Sequence, residues 1–470
     1  MQPSRAAIAE TAPALLDGRG FTLVGAGCAS RYAASLLSSL GGMVRVREGP
    51  PDISPGMAWA RSGLMWLTGT AGLPGCMSPA PVAACADGVL QALDAAGGVL
   101  PAAWRQGGAM LAHRAALLGL GRRGRTSAGG ACRLLQTADG MLALSLARAE
   151  DRALLPAWLE QDGLDDWEAL AAVLRTRQAH AVVERGRMMG LPVADAVLPA
   201  VAVPWCRVRR HGERAPEARG GRAPRVLDLS SLWAGPLCGQ LLHQLGAQVV
   251  KVESTRRPDG ARAGNAAFFD LVNAGKQCVA LDFGSAADIA CLRRLVEWAD
   301  IVIEASRPRA LAHLGLEAEA LIAARPGLSW ISITGYGRDE PAANWVAFGD
   351  DAGVAGGLSA LLAHAGEGWA FCGDAIADPL TGLHAALAAW CAHAAGGGVM
   401  ISLAMRDVVA HCADWERPSD GDALREQAAR WRRQARHAGV EDCRPVPPAI
   451  VRRARAHGAD NAALAKLLGC

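Results

Sequence analysis

The chain has 470 residues, 51% hydrophobic and 20% charged, enough to fill the cores of two or three ordinary domains, which excludes an intrinsically disordered protein. Its 80 glycines and prolines follow no Gly-x-y period, which excludes a collagen-like chain, and 48 basic against 45 acidic side chains leave no polycation for a nucleic-acid backbone. The 13 cysteines are scattered singly, without a C-x-x-C pair or a Cys/His cluster at zinc spacing, so free thiols in a reducing cytoplasm and no metal site are expected.

At the start of the chain, Glu10 and Asp17 interrupt the apolar run that a signal peptide needs. Residues 21–48, FTLVGAGCASRYAASLLSSLGGMVRVRE, read as a strand, a tight turn, an apolar-periodic helix ended by Leu-Gly and a valine-rich strand, a βαβ unit. Its turn imitates a dinucleotide fingerprint through Gly25, Gly27 and Glu48, although the third fingerprint position is Ser30. From Asp139 to Ala196 one strand-like segment and charged amphipathic helices predict a smaller α+β region, and Arg207 to Arg225, with seven arginines and no apolar period, reads as a solvated linker. The first unit then recurs without gaps at an offset of 205 residues, over 226–253, with identities such as Ala29/Ala234, Leu36/Leu241, Gly41/Gly246 and Glu48/Glu253. The second copy has no G-x-G, which favours a turn over NAD binding for the first. Strand and helix alternate onward through CVALDF, ADIACLRRLVEWA, DIVIEAS and SWISITGYG. The charge-free stretch Thr381 to Met405 reads as a buried helix, a turn and a buried strand rather than a membrane span. The expected fold is α/β: two related halves with βαβ doubly wound parallel-sheet units plus a smaller α+β domain. The expected divisions are 1–138, 139–206, the linker 207–225, 226–415, and a polar helical tail 416–470 that returns to the sheet domain.

Seven blocks from Val226 onward resemble, in order, the family III CoA-transferases of the CaiB/BaiF type. They are VLDLSSLWAGPLCGQLLHQLGAQVVKVE, VNAGKQCVALDF, ADIVIEASRPRALAHLGL, ISITGYGRDEP, AIADPLTGLHAALAAW, GGGVMISLAMRDVV and ARAHGADNAALAKLLG. The first half is similar to a partial, degenerate second copy, because GRMMGLPVADAVLP resembles the end of the family's small domain. Aligning Gly88 on Gly382 places Ala84 opposite Asp378, so one aspartate of the catalytic type is expected per chain. The resemblance implies an enzyme with coenzyme A and acyl-CoA as substrates, no tightly bound cofactor, and either a homodimer or an intrachain pseudo-dimer.

A CoA-transferase keeps the acyl group activated by using a protein carboxylate as nucleophile, through an anhydride and then an enzyme thioester. The resemblance assigns this role to Asp378, expected as the cap of a helix that begins at Pro379; an ordinary helix-capping aspartate has the same local signature. Asp374 is the nearby competitor and is expected in a turn. Gly335, Gly337, Gly356 and Gly357 are candidate oxyanion donors or plain turn glycines. Arg256, Arg257, Arg262 and Arg307 follow strand ends of the sheet, and Lys276, one of only three lysines, lies in the block that resembles N-x-G-K; all five are candidates for the phosphates of CoA, or solvated surface charge. Three alternatives stay open. An α-methylacyl-CoA racemase needs a histidine where this chain has Gly349, Asp350 and Asp351, and the acidic pair has no assigned role. The others are a non-catalytic CoA-binding protein and a nicotinamide oxidoreductase.

Overall fold

The computed structural model describes residues 15–199, 203–215 and 223–468. In the first half β1 (Gly20–Ala26) and β2 (Met43–Pro51) pair in parallel, joined through the helix Cys28–Ser39. The helix Val82–Ala95 packs beneath, with Leu36, Leu37, Val89 and Leu93 fully buried. An antiparallel sheet of β3 (Cys132–Gln136), β4 (Met141–Ser145) and β5 (Val193–Asp195) forms the core of the smaller region with helices such as Ala179–Met188. The expected boundary at 138/139 is corrected by this sheet: it cuts the hairpin β3–β4, whose turn Thr137–Gly140 is closed by Thr137 accepting the Gly140 N–H at 3.0 Å.

The expected linker is corrected too. Its first residues form β6 (Arg207–Arg210), because alternation of Val208 inward with arginines outward suits an edge strand. The remainder of that linker includes 216–222, which lies outside the described residues. Six parallel strands follow: β7 (Arg225–Asp228), β8 (Gln248–Ser254), β9 (Gln277–Leu281), β10 (Ile301–Glu304), β11 (Ser329–Thr334) and β12 (Val399–Ala404). The sheet order is β6-β12-β11-β10-β7-β8-β9, with only β6 antiparallel, so the winding direction reverses between β7 and β10. The helices Ala234–Gln244 and Ala377–Ala394 cover one face, and Ala286–Trp298 and Ala318–Ala324 the other. Buried on both faces, the strands are near-continuous Val/Ile runs. The charge-free stretch from Thr381 is thus a buried helix and strand, and among the described residues no helix is long and apolar enough to cross a membrane. The tail closes the β9 edge: Asp460 accepts the Cys278 N–H at 2.7 Å and Asn461 the Ala280 N–H at 2.9 Å.

The two βαβ units make the same close helix crossing. A Cβ on Gly382 would fall 2.7 Å from the Ala234 carbonyl and 3.0 Å from Leu237, and one on Gly88 would fall 2.6 Å from the Ala29 carbonyl and 3.2 Å from Tyr32. Ala29 and Tyr32 lie at the repeat offset from Ala234 and Leu237. The units differ in extent. β1 pairs only with β2, and its other edge, Thr22 to Val24, faces a cavity of about 820 Å³ bounded by Leu90, Gln91 and Asp94. The offset counterparts of Thr22, Leu23 and Val24 are Leu227, Asp228 and Leu229, the stretch against which β10 is hydrogen-bonded in the second unit. One hydrophobic core, from Leu15 to Ala435, runs through both halves.

Candidate active site

The helix Ala377–Ala394 begins two residues earlier than the proline suggests. Ile376 is already helical at its N-cap and the Asp378 N–H donates to the Ala375 carbonyl at 3.0 Å, so Asp378 lies inside the first turn. This corrects the expected capping position; the preceding turn supplies the partner that a capping side chain would have supplied. The half-buried carboxylate accepts the N–H of Ala234, the first residue of the neighbouring helix Ala234–Gln244. It rests on Gly349, where any Cβ would overlap its Oδ2 and the Ala375 carbonyl, so only glycine fits there. Burial pushes the Asp378 carboxyl up to about 7; the Arg114 guanidinium and the Ala234 N–H oppose the rise, and Asp350 and Asp374 add to it. Such a group is anchored, yet its charge is weakly enough stabilised to attack an electrophile.

The loop before Asp378 is pinned from several sides. Fully buried Asp374 forms a two-pronged ion pair with Arg114 of the helix His113–Leu118, Nε to Oδ2 at 2.9 Å and Nη2 to Oδ1 at 2.5 Å. The Arg114 guanidinium also lies 5.3 Å from the Trp233 ring centroid. The Phe371 N–H donates to the Gly124 carbonyl and the Gly373 N–H to Thr68 Oγ1, each at 3.0 Å. Ala375 holds a left-handed φ of 43°, unusual for a residue with a Cβ, and donates its N–H to Asp350 Oδ1 at 2.9 Å. Asp350 therefore shapes the loop. Asp351 accepts the Phe348 N–H at 2.8 Å as part of the helix start at Gly349. Burial pushes Asp350 up to about 6 and Asp351 up to about 8. Sequence reasoning missed Arg114, Thr68 and Gly124, which carry no motif.

The predicted cation set divides. Arg257 and Arg307 are brought near one another, and Arg309 and Arg148 stand close enough to depress Arg307 further after burial. Arg148, from the smaller region, was also missed. Arg256 is paired with Asp282 at 2.9 Å on an exposed surface, and Arg262 is paired with Glu253 at 2.6 Å and stacked 4.3 Å from the Phe269 centroid. Lys276 corrects the expectation of a phosphate ligand: it is 1% exposed, its ammonium 2.8 Å from both Asp228 and the Pro236 carbonyl. Lys251 is buried likewise, against Asp259 at 2.9 Å.

Among the glycines, Gly337 donates to Thr334 Oγ1 at 2.9 Å, Gly356 to the Ala352 carbonyl at 2.9 Å and Gly357 to the Val354 carbonyl at 2.9 Å. Those three N–H groups have partners and are not open oxyanion donors. Gly357, in the left-handed region at φ 96°, and Gly356 end the helix that begins at Gly349, and Gly335 is glycine because a Cβ would sit 2.6 Å from Ala347 Cβ.

In the first half the corresponding place is filled differently. Ala84 has no carboxyl, and Asp52 occupies the helix start instead, accepting the Ser30 N–H at 2.7 Å, Ser30 Oγ at 3.0 Å and Gln91 Nε2 at 3.2 Å. Asp52 thereby takes the position a pyrophosphate would need, a Cβ on Gly27 would fall 2.7 Å from Asp52 Cβ, and one on Gly25 would overlap Ser30 Oγ. Gly25 and Gly27 serve packing, and Glu48 is exposed on β2.

Residues 223–445 match CoA-transferase family III. The succinate–glutarate CoA-transferase of Agrobacterium fabrum is 34% identical over a region covering 39% of this chain and 50% of that protein. The succinyl-CoA–D-citramalate CoA-transferase of Chloroflexus aurantiacus is 34% identical over 35% of this chain and 43% of that protein. The chain thus spans about half the length of the curated relatives it matches. A CAIB/BAIF family protein from Brucella suis, known from a crystal structure, shares 31% identity over 42% of this chain and 55% of its own, with a TM-score of 0.37.

Proposed function

Because residues 223–445 match CoA-transferase family III, we propose that this protein moves CoA from an acyl-CoA thioester to a free carboxylic acid, in the cytoplasm, through Asp378. The observation that carries the reading is the Asp378 carboxylate itself, bound by the Ala234 N–H, seated on Gly349 and faced by Arg114. Its oxygen attacks the thioester carbonyl; the C–S bond breaks and CoA leaves as thiolate, giving a mixed aspartyl anhydride. The thiolate then attacks the aspartyl carbonyl, releasing the donor acid and leaving an aspartyl thioester, and the acceptor carboxylate reverses the two steps. Arg257 and Arg307, with Arg148 and Arg309 beside them, are the cations in this reading for the phosphates of CoA, because forked guanidiniums suit phosphate oxygens.

The two βαβ units are read as copies of one ancestor that form an intrachain pseudo-dimer. The matching Gly88 and Gly382 crossings support that reading, and Ala84 leaves the first copy without a nucleophile. A racemase would need a second proton-transferring side chain opposite Asp378. The position against its carboxylate is Gly349, and the groups acting on Asp378 are Arg114, Asp350, Asp374 and a backbone N–H, with no histidine among them.

The test is trapping. Incubation with succinyl-CoA, and in parallel with a panel of other short acyl-CoAs, in hydroxylamine should convert Asp378 to its hydroxamate, found by mass spectrometry on its peptide and absent in Asp378→Asn. A hydroxamate on another peptide, or none with any acyl-CoA, removes Asp378 from the nucleophile role.

A further inference from the structure

The family match begins at residue 223, yet the loop that carries Asp378 is clamped largely by residues before it. Arg114 grips Asp374 with two hydrogen bonds, the Gly124 carbonyl accepts the Phe371 N–H, and Thr68 accepts the Gly373 N–H. Three separate segments of the first half thus fix the backbone from Phe371 to Asp374, immediately before the strained Ala375 and the helix start. The Arg114 side chain is itself sandwiched. Trp233 lies 5.3 Å from it, and a Cβ on Gly129 would sit 3.5 Å from its Nη2 and 3.9 Å from Asp374 Oδ1, so the fork has little freedom to turn.

We propose that Arg114 is a positioning residue of the catalytic centre, through which the first half of the chain aims the Asp378 carboxylate and balances the carboxylates crowded around it. This rests on the reading of Asp378 as nucleophile. Among the described residues, the titratable groups that face Asp378 from the elements packed on it include Arg114, Asp350, Asp351 and Asp374, and Arg114 is the cation of this group. Asp374 offsets that cation only in part, because Arg114 acts on Asp378 more strongly than Asp374 does, with opposite sign. A degenerate copy that lost its own aspartate at Ala84 therefore supplies what the intact copy lacks, a fixed positive charge.

The experiment uses the full chain labelled with [γ-13C]aspartate, the Asp378 carboxyl being identified by its loss in Asp378→Asn and titrated by NMR. In Arg114→Gln the Asp378 midpoint should rise by about one unit or more, in Arg114→Lys it should return most of the way, and in Asp374→Asn it should fall, because Arg114 then acts unopposed. An unmoved midpoint in folded Arg114→Gln overturns the proposal. If circular dichroism shows Arg114→Gln unfolded, Asp374→Asn decides, and a midpoint unmoved or raised there overturns it. Failure of this proposal is distinct from failure of the nucleophile: a hydroxamate on Asp378 with unmoved titrations keeps the nucleophile and removes Arg114, whereas a hydroxamate elsewhere removes the nucleophile whatever the titrations do.

Discussion

An attacking carboxylate must be ionised, and in the role proposed for it Asp378 meets that requirement only narrowly, since burial and two acidic neighbours lift it to about 7. The sign follows directly. Below that value the proton-bearing, non-nucleophilic form dominates, so the transfer rate should fall about tenfold per pH unit on the acid side and level off above it. Initial rates of acyl exchange between pH 5 and 9 check this, and a flat profile through pH 7 would contradict an Asp378 nucleophile with a raised pKa. The sequence singles out Asp378 as a candidate because its neighbours form a contiguous block, AIADPLTGLHAALAAW, in the right order among others. Arg114 was not. It meets Asp374 across 260 residues of chain, and an arginine in an otherwise plain apolar helix shows nothing of that partner before the chain folds. Lys276 failed in the opposite direction, because a rare lysine in a matching block looked like a ligand group whereas its ammonium completes a buried ion pair under the first turn of a helix.

The elements were legible where period and turn chemistry agreed, as in the two βαβ units, and less so at their ends, as in the helix start at Ala377 and the strand at Arg207–Arg210. Strand β6 was hidden by its composition: only pairing with Val399–Ser402 selects four arginine-rich residues as a strand. One difference between the two units is explained at this scale. In the first unit Gly25 leaves room for Ser30, and in the second, at the same offset, Gly235 leaves room for Ser230. Strand end and helix start can hold one serine between them but not two. Gly25→Ser should therefore destabilise the fold, and adding Ser30→Gly should recover much of the loss, with a coupling of about 1–3 kcal/mol between the sites. Chemical denaturation of the four members of the cycle measures it, and additive effects would show that the two positions do not compete for one volume.

At the scale of the molecule, the βαβ part of the first half, residues 15–131, is a sheet of two strands whose β2 is exposed along most of its length and whose β1 opens on a cavity, and isolated two-stranded sheets are marginal in water. Its helices share one core with the second half rather than enclosing their own. Residues 15–131 expressed alone should therefore lack a cooperative thermal transition, and co-expression with residues 132–470 should restore one; a sharp transition for the isolated βαβ part would show that it is an autonomous domain. That the second half carries the parallel sheet could be read from strand and helix alternation, whereas the dependence of the first half on it could not, since an absent strand leaves no trace in local pattern. The clamp between Arg114 and Asp374 also has a consequence in time. The 260 residues separating them take a ribosome roughly ten to fifty seconds to translate, so the first half emerges with its charged fork and the core face it shares with the second half waiting for partners not yet made. Until the segment around Asp378 leaves the exit tunnel, that core face is exposed on the nascent chain, and the proposed centre forms only as the last third of the protein is synthesised.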